Sequence, residues 1–464
     1  MQQSTSPILS ILDDILNNES CYQLAKQHKF IQRDSSKIRG HEFVKALVLP
    51  TQGSLEDSLN DICARMRQFN PDADISASAL AQRINKTSAA RFMKHIFEKV
   101  LQTAREKFEK QNPSLEGPLK TFNNIFIQDS TVFEINKKLS QYFPGTKRGG
   151  KKGGNTCKSQ VKIDLIQNFA TGKIEEVQIY EGKRPDQSLS DKIIGKLNKG
   201  DLVLRDLGYF KIEVFKTIMA IGAFFISRFP SHVKVYLNQN DPNPVNLGEH
   251  LNKYYKYQSI IDLQVWIGDE RLKIRLIIYR IPKDIVRERL RKTNKSAKEM
   301  GRTTSKQKLA LLEFSIFISN IPQDVITAEM IGTIYRLRWE VELIFKTWKS
   351  QLKLDILEGI CLHRIQCLLW SRLSLVIIIA HITAGFFNCA TAMCKGEISP
   401  TKLIHYLLKH GFLSQAIVNQ TLEELELQML RDMPRRLMKD KRNRTTMRQR
   451  VSEFEAYYGW CYAA

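Results

Sequence analysis

Three acidic residues, Asp129, Asp206 and Glu342, stand where packing alone explains a carboxylate poorly. Asp129 closes the run Asn124-Ile-Phe-Ile-Gln-Asp129, and Asp206 closes Leu202-Val-Leu-Arg-Asp206; both stretches have strand character. An unpaired carboxylate at the end of an inner strand is costly. A divalent cation shared between neighbouring strand ends is the strongest compensation. The local alternative is that each caps a turn, since Asp129 precedes Ser-Thr and Asp206 precedes Leu-Gly-Tyr. Glu342 lies in a strong helix-forming segment, 334–350. At about 100° per residue, Tyr335, Arg338, Glu342 and Lys349 fall at roughly 0°, −60°, −20° and −40°, a stripe about 60° wide. Glu340 falls at roughly 140°, on the other side. Trp339, Leu343, Ile344, Phe345 and Trp348 make the remaining surface apolar, so the helix is expected to be buried. A narrow polar stripe on such a helix needs a partner, and metal with phosphate would supply one; a solvated charged face is the alternative.

The elements that must position these residues follow from hydrophobic periodicity. Residues 1–118 read as a helical domain, with a capping-box start at Ser54-Leu-Glu-Asp57 and Ser76 or Ser78 as the cap of a short helix around Ala79–Ile84. That helix leads into Arg91, Lys94 and Lys99, and reads either as the recognition element of a helix-turn-helix variant or as part of a plain bundle. From Asn123 the period shortens to that of strands: 124–129, 161–166, 174–180, 202–206 and 224–228. A turn at Ala170-Thr-Gly-Lys separates two of them, and helices are expected over 190–199 and 211–220. Three strands followed by β-α-β give an α/β sheet with a leading meander, the order of the ribonuclease-H-like fold. Residues 119–230 would be its first part. Residues 231–320 read as a β-rich insertion subdomain, with strands at 233–236, 260–267, 272–279 and 314–318. Within it, 283–308 carries ten basic and three acidic residues and reads as a mobile basic excursion. Residues 321–390 would complete the catalytic domain, and 391–464 form a basic helical region suited to dimerisation.

The motifs resemble a known family. Tyr335-x2-Arg338-x3-Glu342-x6-Lys349 matches the Y-(2)-R-(3)-E-(6)-K signature of the YREK-signature family of bacterial insertion-sequence DDE transposases. Gln128-Asp129-Ser130-Thr131 is similar to its first-Asp motif, and Asp206-Leu-Gly-Tyr-Phe210 to its second. The resemblance implies two-metal cleavage at terminal inverted repeats and strand transfer into target DNA. Asp129, Asp206 and Glu342 would hold two Mg²⁺ ions, with Mn²⁺ as a substitute. It further implies phosphate contacts from Tyr335, Arg338, Lys349 and Lys346, a homodimer bridging two DNA ends, and a cytoplasmic, nucleoid-associated bacterial protein. The Gly/Lys loop 145–154, with Lys147, Arg148, Lys151 and Lys152, would approach the DNA backbone or serve as an ordinary hairpin. Where some relatives carry a base-stacking Trp on the strand before the helix, this sequence offers Phe314, which would stack on a flipped base or serve as a core aromatic.

Bulk properties agree with a polyanionic partner: 71 Lys+Arg against 48 Asp+Glu give a net charge of +23. A second basic stretch, 431–450, has nine basic and two acidic residues. The most apolar run, 373–380, is short of the roughly 20 residues a membrane span needs and reads as a buried helix. No secretory leader is evident at the first residues. Eight cysteines without a C-x-x-C pair fit reduced thiols, and Cys361, His363, Cys367 and His381 have no zinc spacing. The competing functional readings are a catalytically silent DNA-binding relative, a nuclease of the same fold without a joining step, and an RNA-binding protein.

Overall fold

The computed structural model describes residues 8–33, 36–49, 58–108, 115, 117–146, 158–299, 301, 303–394, 398–409 and 411–440. The Ser54–Asp57 capping box, the loop residues Lys147, Arg148, Lys151 and Lys152, and the basic stretch beyond 440 lie outside them.

The strand segments pair into one mixed sheet. In chain order these are β1 (Ile125–Ile135), β2 (Ser159–Asn168), β3 (Ile174–Glu181), β4 (Leu202–Arg205), β5 (Phe224–Arg228), β6 (Val235–Tyr236), β7 (Ile260–Ile267), β8 (Leu272–Arg280) and β9 (Phe314–Ser319). Their spatial order is β3-β2-β1-β4-β5-β9-β8-β7-β6. The first three form an antiparallel meander, with Gly172 at φ +77° in the turn between β2 and β3. β4 and β5 then run parallel to β1, and β9 joins β5 antiparallel. Residues 231–320, expected as an inserted β-rich subdomain, therefore extend the sheet of the preceding strands through β9.

Alternation sends successive side chains to opposite faces. Ile125, Ile127, Leu202 and Leu204 enter one core, which the terminal helices cover; Phe126, Val203, Phe225 and Ile318 enter a second core on the reverse face. The first core is built around the helix Leu362–Cys394, which packs against Thr87–Phe108. Its window Leu362–Ala390 is long and apolar enough to cross a membrane, yet 67% of it is buried inside the protein.

Two local expectations are corrected, and one choice between alternatives is settled. Residues 190–199 form no α-helix: short 3-10 turns, Asp186–Leu189 and Ile194–Lys196, carry the chain to β4. The basic excursion at 283–308 is instead the helix Lys283–Glu299 and the shorter helix Lys306–Leu311. Charge density alone suggested mobility, but Lys, Arg and Glu are good helix formers, and Glu288 pairs with Lys292 one turn on. The short N-terminal helix spans Ala77–Ile84, and its cap is Ser76, whose side chain accepts from the Ala79 amide.

Candidate active site

The register of β1 against β4 sets the first two carboxylates. Gln128 and Arg205 form the last rung of this parallel ladder, so Asp129 and Asp206 follow it side by side. Gln128 and Arg205 point to the reverse face, which leaves both aspartates on the face of the first core. Asp129 does not end its strand, contrary to expectation. β1 runs on to Ile135, paired with β2 beyond the end of β4.

The third carboxylate arrives on a helical run across the same face. It comprises the helix Ala328–Tyr335, a 3-10 turn Arg336–Arg338 and the helix Trp339–Ser350, rather than one uniform helix. Tyr335 is buried against Phe317 of β9, ring centroids 5.0 Å apart, and its hydroxyl donates to Asp206 Oδ1 at 3.3 Å. Arg338 Nη1 donates to Asp129 Oδ2 at 2.9 Å and Nη2 to Glu342 Oε1 at 2.7 Å, while Nε lies 3.9 Å from Asp206 Oδ1. Three carboxylates distant in sequence thus converge on one guanidinium, whose planar fork suits such bridging. Leu343, expected in the core, is 58% exposed, because the helix presents one edge to solvent beside Glu342.

Burial raises the Asp129 carboxyl to about 7, although the charge of Arg338 and the Ser130 amide draw it down. Burial works against the Arg338 charge, but Tyr335 and the carboxylates of Asp206, Asp129 and Glu342 outweigh it and hold the guanidinium firmly protonated. An open cleft of about 630 Å³ lies alongside, lined by Asp129, Thr131, Glu342, Lys346, Lys349 and Lys353 among others. Lys349 Nζ donates to the Val132 carbonyl at 3.2 Å, and partial burial lowers its pKa. Lys353 is a cleft residue that sequence reasoning misses; it sits past the helix end at φ +51°.

The reverse face carries a buried polar network that motif reading also misses. Arg205 Nη2 donates to Gln128 Oε1 at 2.9 Å and to the Ser190 carbonyl at 2.6 Å. Gln128 Nε2 donates to Asp164 Oδ2 at 3.1 Å, and the Tyr209 hydroxyl to Asp164 Oδ1 at 2.5 Å. Burial lifts Asp164 to about 6 against these two hydrogen bonds. Ser130 Oγ and Lys162 Nζ share Asp186 Oδ1, at 2.8 and 2.6 Å. The residues flanking Asp129 and Asp206 are thereby tied together behind the sheet. The signal was present in sequence only as polar residues alternating within apolar strands.

Phe314 is 3% exposed, in the second core, with the Arg280 guanidinium 4.6 Å from its ring. It faces away from the side of the sheet that Tyr335 and Phe317 occupy, so it stands here as a core aromatic.

The donor set is three carboxylates, all hard oxygen ligands, and by chemistry fits Mg²⁺ or Mn²⁺. Among the described residues no three acidic, His or Cys side chains close on a common cation position. The positive charge at this convergence is that of Arg338.

Comparison with known proteins bears on the same segment. Residues 120–378 match the family model for the transposase DDE domain. The chain is 26% identical over 442 residues to the transposase for insertion sequence element IS231F of Bacillus thuringiensis subsp. israelensis, covering 92% of this chain and 90% of that protein. To the transposase for element IS231B of B. thuringiensis subsp. berliner it is 29% identical over 415 residues, covering 86% and 84%. Among solved structures it is similar to the piggyBac transposase in a synaptic complex with hairpin DNA, with a TM-score of 0.45 and 11% identity over 99% of this chain and 91% of that one. The matched domain spans the converging carboxylates, and the chain belongs to the DDE transposase family of insertion sequences, enzymes that cleave DNA and transfer its strands.

Proposed function

We propose that Asp129, Asp206 and Glu342 are the catalytic carboxylates of a cut-and-paste transposase acting at the terminal inverted repeats of its own element. The observation that carries this reading is their convergence on Arg338 from three separate chain segments. The strand order β3-β2-β1-β4-β5, with a meander leading two parallel strands, supports a ribonuclease-H-like catalytic core. Two Mg²⁺ ions held by the three carboxylates would activate the attacking hydroxyl and stabilise the leaving 3′ oxygen.

The chain's own residues do the rest. Asp129 and Asp206 are held level by the Gln128–Arg205 rung, and Asp129 lines the cleft with Glu342. Glu342 is the most exposed of the three, at 45% against 38% for Asp206 and 16% for Asp129, and has the most freedom to adjust. Arg338 balances the carboxylate charge before DNA enters, and can turn to a phosphate when substrate arrives. Lys346 and Lys349 edge the cleft and supply further phosphate contacts, with Tyr335 fixing the orientation of Asp206. A homodimer on two DNA ends, with the helices beyond residue 391 as its contact, completes the proposal.

The test is incubation of the full chain with Mg²⁺, linear DNA bearing the inverted repeats that flank its gene, and a target plasmid. Strand cuts at the repeat ends and joined products are expected, both lost in Asp129→Asn and Asp206→Asn. Binding without cutting under either Mg²⁺ or Mn²⁺ would overturn the assignment.

A further inference from the structure

The residues that follow β8 and precede β7 have no part in the site described, and their position on the sheet is informative. β4 and β5 are in register, Arg205 opposite Ser227, so Arg228 stands level with Asp206. Arg228 pairs with Phe317 on antiparallel β9, Phe314 pairs with Arg280 at the end of β8, and Tyr279 pairs with Ile260 at the start of β7. The helix Lys283–Glu299 and the loop before Ile260 therefore project from the same sheet edge as the carboxylates. They lie three and four strands along from β4, roughly 14 and 19 Å at the usual strand spacing.

Both features carry groups that the fold does not use. The helix docks through half-buried Ile285, Val286, Thr293 and Ala297, and through Arg289, which donates to the Phe314 carbonyl at 2.9 Å and to Ser315 Oγ at 3.0 Å. At about 100° per residue, Lys283, Arg287, Arg291, Lys295 and Lys298 then share the outward side; all five are exposed. At the end of the helix Leu247–Tyr254, Tyr254 is 61% exposed with its ring 4.8 Å from that of His250, and in the loop that follows Tyr257 is 91% exposed; the ammonium groups of Lys253 and Lys256 lie 5.1 and 5.5 Å from the respective tyrosine rings. Arg280 joins the two features, reaching the Asn252 side chain at 3.3 Å and the Tyr255 carbonyl at 3.4 Å.

We infer that this basic helix stripe and the Lys253–Tyr257 segment form a second DNA-contacting surface, which carries the duplex beyond the cleavage site along the edge of the sheet. Its partner is duplex DNA rather than an acidic protein, because basic side chains interleaved with exposed tyrosines suit a sugar–phosphate backbone. The surface is sequence-independent, since it presents charge and aromatic rings without a helix-in-groove reading head. The inference rests on the DNA-cutting function proposed above.

Anisotropy titration of the full chain against a random duplex of roughly 40 base pairs, across a salt series, tests it directly. Lys283→Gln/Arg287→Gln/Arg291→Gln is expected to bind about tenfold or more weaker near 0.1 M salt, with the slope of log K against log salt shallower by about 0.9 for each phosphate no longer neutralised. Tyr254→Ala/Tyr257→Ala is expected to weaken binding with the slope unchanged. Circular dichroism and thermal melting confirm folding, which these exposed substitutions leave in place. If both variants bind as the wild type does, the surface assignment falls. A wild-type preference for an RNA duplex of the same length, abolished in the variants, would reassign the surface to RNA and overturn it too. Failure of the catalytic reading looks different: the wild-type chain would bind DNA through the stripe and cut nothing.

Discussion

Burial lifts the Asp129 carboxyl to about 7 even with the Arg338 guanidinium 2.9 Å away, and this has a consequence for metal binding. Below that pH the folded chain keeps a proton on Asp129, which a divalent cation must displace. Affinity for Mn²⁺ should therefore rise with pH up to about 7 and level off above it, changing roughly tenfold per unit on the acid side. Calorimetric titration at successive pH values checks this, and a flat profile would contradict it. Behind the sheet, Tyr209→Phe removes one of the two side-chain donors to Asp164 and should destabilise the fold by about 1–3 kcal/mol in urea unfolding. Glu342 was legible in the sequence because helical spacing separates it from Glu340. Asp129 and Asp206 were legible as acidic residues after apolar runs. The Gln128–Arg205–Asp164–Tyr209 network was not, since its partners meet through strand pairing across large sequence separations. Nor did spacing show that Arg338 would bridge the carboxylates themselves.

At the scale of elements, strands were easier to read than their surroundings. The β2, β7 and β8 segments announced themselves by apolar periodicity, whereas β1 outran its apolar run because Thr131, Phe133 and Ile135 continue the first-core alternation past Asp129. The 3-10 turns at Asp186–Leu189 and Ile194–Lys196 stand where Ser188, Ser190, Asp191, Gly195 and Asn198 interrupt the chain, residue types that favour turns and caps over a continuous α-helix. Ser76 caps Ala77–Ile84 with a 3.2 Å acceptor contact to the Ala79 amide, so Ser76→Ala should cost about 1 kcal/mol in denaturant unfolding. No loss, or a gain, would show that the cap contributes nothing there.

The described residues are organised by one sheet with a core on each face. Fold class was readable from element order, but the continuity of β6–β9 with the sheet was not, because β5 pairs with β9, Ile226 opposite Ser319 and Arg228 opposite Phe317, across the whole intervening stretch of chain. The net charge of +23 belongs to this scale as well. Binding of the wild-type chain to duplex DNA should weaken linearly in log K against log salt, and a salt-independent affinity would contradict an electrostatic origin. In the proposed function the carboxylates converging on Arg338 are the ones that cut. Its most direct test is DNA cleavage by Glu342→Gln set beside Glu340→Gln, two changes of identical chemistry placed two residues apart on one helix. A loss of roughly 10²-fold or more is expected for Glu342→Gln, and near-wild-type cleavage for Glu340→Gln. Equal cleavage by the two variants, or loss only in Glu340→Gln, would contradict it.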